Sequence, residues 1–135
     1  MPQDRESGAA AAERGHLRAR GIAHLLEADK LKAGANAVHW NGERTVIKSC
    51  RPGTSSIGVT PKMEPELDSV LAAIEDKFGD VQIVRVAIVD FRRVMYDGVA
   101  RRGALPLKMM RRSDIERLGR SIARFKLSEI EAAGL

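Results

Sequence analysis

The stretch Ala37-Val38-His39-Trp40-Asn41-Gly42-Glu43-Arg44-Thr45-Val46-Ile47-Lys48-Ser49-Cys50 carries the strongest local structure signal in the chain. Asn41 and Gly42 both take positive φ at little cost and are flanked by β-forming residues, so the pair predicts a tight two-residue hairpin turn. Side chains alternate along a strand, which puts Arg44, Val46, Lys48 and Cys50 on one face and Thr45, Ile47 and Ser49 on the other. The hairpin is the centre from which the other elements are placed.

Upstream, residues from about Glu13 to Lys32 read as a helix with Leu17, Ile22, Leu25 and Leu26 on its apolar side and Gly34 as its stop. Arg14, Arg18 and Arg20 lie in its first turns, where positive charge opposes the helix dipole; they are expected on a solvated or phosphate-contacting face. Residues 1–12 are Ala-rich, lack the apolar core of a secretory signal, and read as a flexible tail. Residues 13–135 are expected to form one domain. His16 and His24 have no ligand set at suitable spacing.

Downstream, Arg51-Pro52-Gly53-Thr54-Ser55-Ser56-Ile57-Gly58-Val59-Thr60 reads as a loop with a short strand around Ile57 to Val59. Its small hydroxyls and backbone donors suit a phosphate, with Lys48 and Arg51 at its flank, although Walker spacing is absent. Met63, Leu67, Val70, Leu71, Ile74 and Phe78 recur at spacings of three and four and predict a helix beginning near Glu64, with Pro65 in its first turn and an acidic side of Glu66, Asp68, Glu75 and Asp76. Val81 to Phe91 is apolar on both faces and predicts an interior strand, with Arg85 as a charged residue at a sheet margin.

The last third differs in charge. Of the chain's net +5, the segment Arg92 to Lys126 carries +8, the residues before it −1 and those after it −2. Its cations are Arg92, Arg93, Arg101, Arg102, Lys108, Arg111, Arg112, Arg117, Arg120, Arg124 and Lys126. Asp97-Gly98 and Gly103 predict turns. Ser113-Asp114-Ile115-Glu116 has capping-box spacing and predicts a helix that buries Ile115, Leu118, Ile122 and Phe125 and turns Arg117, Arg120 and Arg124 outward as a basic ridge. Ser128 to Glu131 repeats the cap pattern before a final short helix.

These readings give a small single-domain α/β protein with an αβββαβ-like core and a basic C-terminal helical segment at 92–126. A chain of 135 residues suits one core. One cysteine, Cys50, excludes an internal disulfide, fits a reducing cytoplasm, and is expected as a small buried residue. No membrane span is expected, since no run of about 18 apolar residues occurs. No catalytic residue, metal ligand or cofactor is expected. Clustered arginines suit phosphate forks, and neutralised phosphates release counterions. The expected partner is therefore nucleic acid, DNA or RNA, contacted by Lys48, Arg51, Arg92, Arg93, Arg101, Arg102, Lys108, Arg111, Arg112, Arg117, Arg120 and Arg124. Alternatively the chain is an assembly or regulatory subunit docking on an acidic protein, with Met109 and Met110 as adaptable contacts. An enzyme holding a phosphorylated small molecule in the Ser/Thr-rich loop would need His39 as its base.

The order helix, strand, turn, strand with Lys48, short strand, helix, strand resembles the core of PD-(D/E)xK nuclease-like proteins across roughly Arg14 to Phe91. That family holds a divalent ion with an acid near the end of one strand and an acidic-x-Lys on the next. Here Val46-Ile47-Lys48 keeps the lysine without the acid, and Asn41 lies near the other acidic position. The resemblance implies a binding-only, catalytically degenerate relative, or a metal-dependent nuclease whose ligands have moved to Glu43, Glu27 or Asp29.

Overall fold

The computed structural model describes residues 3–30, 37–100 and 103–135, and the side chains of 14–29, 37–100 and 103–135. In chain order the elements are α1 (Gln3–Leu25), β1 (Asp29–Lys30), β2 (Ala37–Trp40), β3 (Glu43–Cys50), β4 (Ser56–Val59), a 3-10 turn (Glu64–Glu66), β5 (Ser69–Glu75), β6 (Asp80–Ala87), α2 (Ile88–Val94), β7 (Tyr96–Asp97), β8 (Lys108–Arg111), α3 (Arg112–Leu118), β9 (Arg120–Lys126) and α4 (Leu127–Gly134). This is a small single-domain α/β fold. Among the described residues no helix is long and apolar enough to cross a membrane.

The hairpin forms as its turn residues dictate. Asn41 and Gly42 sit at φ 52 and 76, and Trp40 faces Glu43 across the ladder. β3 then pairs in parallel with β5, the one parallel pairing in a six-stranded sheet of order β1-β2-β3-β5-β6-β9. The parallel step needs a crossover, and β4 lies within it, in a second sheet of order β4-β8-β7. β6 is an interior strand, as its two apolar faces predict, but it ends at Ala87, and Ile88 to Phe91, expected to continue it, open the helix α2, which buries Phe91 against the sheet.

Alternation along the central strands builds two cores on opposite faces of the large sheet. Ile47, Leu71, Ala73, Val81 and Ile83 pack beneath Ala19, Ile22 and Ala23 of α1 and Ile130 of α4. Val46, Cys50, Val70, Ala72, Ile74, Val84 and Val86 meet Ile57 and Val59 of β4, Met110 of β8, Phe91 of α2 and Ile115 of α3. Most of these are fully buried, and each large one stabilises by about 1.5–3 kcal/mol.

Three further element assignments are corrected. The helix expected from Glu64 to Phe78 is a 3-10 turn followed by β5, every residue of which is buried from Ser69 to Ile74. A strand covered on both faces is apolar throughout, and part of such a run matches helical spacing by accident. Phe78, the last residue of the apolar stripe, is 76% exposed. The basic helix expected from Ser113 to Lys126 divides at Gly119 into α3 and β9. A Cβ on Gly119 would lie 2.3 Å from Val84 Cγ1, so the chain there rests flat on β6 before turning into a strand. The first helix spans Gln3–Leu25 rather than Glu13 to Lys32, so the tail expected at 1–12 enters it from Gln3. It ends before Glu27, whose φ of 57 is left-handed.

Candidate functional site

Arg117, Arg120 and Arg124 do not share a helix face: the first is on α3 and the others on β9. Most described cations of the basic segment are met by the chain's own carboxylates. Arg92 pairs with Glu64, Arg93 with Asp90 at 3.9 Å, Lys108 with Asp97 at 2.7 Å, and Arg117 with Asp114 at 2.9 Å. Arg124 lies 3.5 Å from Asp80 and 3.9 Å from Asp76, and Lys126 also binds Asp80. The Lys126 bond holds the Asp80 carboxyl below its ordinary range, with Arg124 adding to the effect. Of the acidic residues from 64 to 76, Glu64 in the 3-10 turn and Asp76 beyond the end of β5 meet cations of the basic segment. Arg101 and Arg102 lie outside the described residues.

Lys48 takes its place on the β3 face between Val46 and Cys50, half-buried, and burial pushes its ammonium pKa down. It lines none of the cavities described below. Glu43 projects to the opposite face, where Arg85 Nε donates to Oε1 at 2.8 Å, Nη2 donates to Oε2, and Ser69 Oγ donates at 3.2 Å. Those hydrogen bonds hold the Glu43 carboxyl below its ordinary range against the opposing effect of burial. Arg85 is thus one arm of a cross-sheet ion pair, not a solvated margin residue. Asp29 faces His39 across β1 and β2 at the sheet edge. Among the described residues no three His, Cys, Asp or Glu side chains gather as a metal site. His39 is exposed and lines none of the described cavities.

Cations do converge elsewhere, on a surface the sequence read only in fragments. A cavity of about 250 Å³ between α1 and the end of β3 is lined by Arg14, Arg18, Ser49, Arg51 and Thr54, with no carboxylate in its wall. α1 supplies Arg14 and Arg18 one helical turn apart, on the same face. Arg18 is the deeper, reaching the end of β5 to place Nη1 2.8 Å from Glu75 Oε1, an ion-pair contact that lacks hydrogen-bond alignment. This corrects the expectation that Arg18 sits on a solvated face. Arg14 is exposed at the rim.

The loop after β3 carries this surface onward. Thr54 N donates to the Arg51 carbonyl at 3.0 Å, closing a turn with Gly53 at φ 83. Arg112 N donates to the Ser55 carbonyl at 2.8 Å, and Arg112 Nη1 donates to the Arg51 carbonyl at 3.4 Å. Thr54 is also in the wall of a second, more open cleft of about 560 Å³, which continues past Ser55 and Ser56 to Tyr96, Arg111 and Arg112. The two concavities therefore form one strip. Arg111 has no carboxylate partner among the described residues and lies over the Tyr96 ring, 4.6 Å from its centroid. Arg112 is 3.3 Å from Glu116, the one carboxylate lining the strip.

Cys50 lies beneath this loop, fully buried as expected, with Sγ 3.5 Å from the Thr54 carbonyl. Burial pushes its thiol pKa up, and the nearby Arg112 charge partly opposes this. Of the twelve residues expected to contact phosphate, Arg51, Arg111 and Arg112 meet in the strip. Arg14 and Arg18 join them from a helix that the sequence showed as basic without showing where it docks. No protein-family model and no curated protein sequence matches the chain.

Proposed function

We propose that this protein binds nucleic acid through its phosphates, along the strip that runs from Arg14 and Arg18 over the Arg51–Ser56 loop to Arg111 and Arg112. The observation that carries this reading is the sharing of Thr54 by two concavities in which five arginines and several hydroxyls meet one lining carboxylate. Guanidinium groups and hydroxyls are the side chains that most often contact phosphate, and a groove walled by one sign of charge concentrates its counter-ions. Arg14, Arg51 and Arg111 have no carboxylate partner among the described residues, so binding a phosphate there breaks no existing ion pair. The paired cations at Arg92, Arg93, Lys108, Arg117 and Arg124 would have to give up their own carboxylates first. No catalytic step forms part of this reading.

Fluorescence anisotropy with a labelled oligonucleotide at low salt tests it. The triple variant Arg14→Ala/Arg51→Ala/Arg111→Ala is expected to lose binding, and Arg93→Ala/Arg117→Ala/Arg124→Ala to retain it. Absence of binding by the unaltered protein at low salt, or the reverse ranking of the two variants, overturns the reading.

A further inference from the structure

We infer that the Arg111 end of the strip takes an unpaired base, so that the preferred ligand is a single strand; this rests on the phosphate-binding reading above. The inference comes from the outward face of the three-stranded sheet. Tyr96 is the chain's one tyrosine, and it stands on this face. In the antiparallel register Tyr96 faces Met109 and Ser56 faces Arg111, so the four side chains share one surface. The Tyr96 hydroxyl is fixed by Ser56 Oγ at 2.7 Å. With its ring held at that edge, the Arg111 guanidinium covers one side and turns its own second face to solvent.

Met109 borders this pair and lies against Gly58 and Gly98, where a Cβ would come within 2.7 and 3.1 Å of Met109 Sδ and Cγ respectively. Met109 and Leu107 fill the space above these glycines, so the side left open to a flat ring is the outer face of the exposed Arg111, at the mouth of the open cleft. A guanidinium already stacked on an aromatic ring is a preformed platform for a nucleobase, because every base offers a π-face. Bases in a duplex are stacked and paired and cannot be presented this way without extrusion. α2 and α3 are only seven residues each and pack against the large sheet, so neither is free to enter a major groove.

The test compares three labelled probes of equal length against the full chain: a single strand, the same strand with abasic sugars, and a blunt duplex. The single strand is expected to bind about tenfold more tightly than the abasic strand, with the duplex weaker than the single strand. Arg111→Lys keeps the charge and removes the planar stack, so it should lower the single-strand affinity more than the abasic affinity and close the gap between the two, and a gap that survives the change overturns the inference. Tyr96→Phe keeps the ring and should keep the base preference, which separates stacking from loss of fold or of the Ser56 bond. Equal binding of all three probes, or a duplex preference, overturns the inference while leaving phosphate binding in place. Failure of all three probes to bind at low salt overturns both.

Discussion

Arg112 Nη1 donates to the carbonyl oxygen of Arg51 at 3.4 Å, joining α3 to the end of β3 across 61 positions of sequence. With the Arg112 N–H on the Ser55 carbonyl, this bond fixes the loop that carries Thr54 between the two concavities. Arg112 therefore shapes the strip as well as charging it.

Replacing Arg112 by Ala removes the bond to Arg51 and the partly exposed ion pair to Glu116, and leaves the backbone bond to Ser55. The expected cost is about 1 kcal/mol, since a net hydrogen bond is worth about that and an exposed ion pair less. Urea denaturation measures it. A loss of affinity beyond that of Arg51→Ala is expected in parallel, because the loop then loses its fixed shape.

Salt dependence separates working cations from countered ones. Each single-strand phosphate neutralised contributes about 0.7 to the slope of log affinity against log salt. Arg14→Ala and Arg51→Ala should each lower the slope by about that amount. Arg117→Ala and Arg124→Ala should leave it unchanged, since Asp114 and Asp80 already hold these side chains. A reduced slope for the second pair would move the interface to α3 and β9.

Lys48 is an ammonium drawn into an apolar face, and the pH dependence of folding should show it. Its folded-state pKa is lowered by burial, so between that value and the unfolded one the unfolded chain holds more protons. Stability therefore rises with pH as the ordinary lysine range near about 10.4 is approached. Lys48→Met keeps the length of the side chain and removes the charge. It is expected to stabilise at neutral pH by about 1 kcal/mol and to flatten this rise. Denaturation at a series of pH values decides it, and a destabilised variant would show that Lys48 has a compensating partner.

The hairpin, the buried interior strand, the α/β class and the segregation of charge are all legible in the residues themselves. Asn41-Gly42 has few alternatives, and Val81 to Ala87 is apolar on both faces in a way an exposed strand is not. The candidate site was less legible, for two physical reasons. Val70, Leu71 and Ile74 fit helical spacing as well as strand spacing, so β5 was hidden inside a helical pattern. Gly119 was the available signal for dividing α3 from β9, and the regular spacing of Ile115, Leu118, Ile122 and Phe125 outweighed it. Net charge along a segment also says nothing about pairing in space. Asp76, Asp80 and Asp97 come back to meet the cations only once the sheets form, while Arg14 and Arg51, 37 positions apart in sequence, become neighbours through the packing of α1 on β3.

Glu43 and Arg85 make the best-formed ion pair of the sheet, and acid should undo it. The Glu43 pKa is lowered in the folded state, so its contribution is present above the unfolded carboxylate range and fades as pH falls through the folded value. Glu43→Gln is expected to cost about 1 kcal/mol at neutral pH, discounted for partial exposure, and to cost progressively less in acid. Urea denaturation of both proteins across that range reads the difference, and a gap independent of pH would assign the effect to packing instead of charge.

The crossing of α1 and α4 yields the sharpest contrast between two changes of the same kind. A Cβ on Gly21 would lie 1.9 Å from the Ile130 carbonyl oxygen, a backbone atom that cannot swing aside. At Gly15, in the same helix, a Cβ would meet nothing within 4 Å. Helix propensity favours alanine over glycine by about 1 kcal/mol at both positions. Only at Gly21 does overpacking of about 1–3 kcal/mol or more oppose it. Gly15→Ala should therefore raise the thermal midpoint and Gly21→Ala lower it, with the Gly21 variant displacing α4 and the Ile130 side chain that closes the core beneath α1. Calorimetry of the two variants side by side measures both signs, and a stabilised Gly21→Ala would mean that α4 does not pack against α1 as closely as this geometry requires.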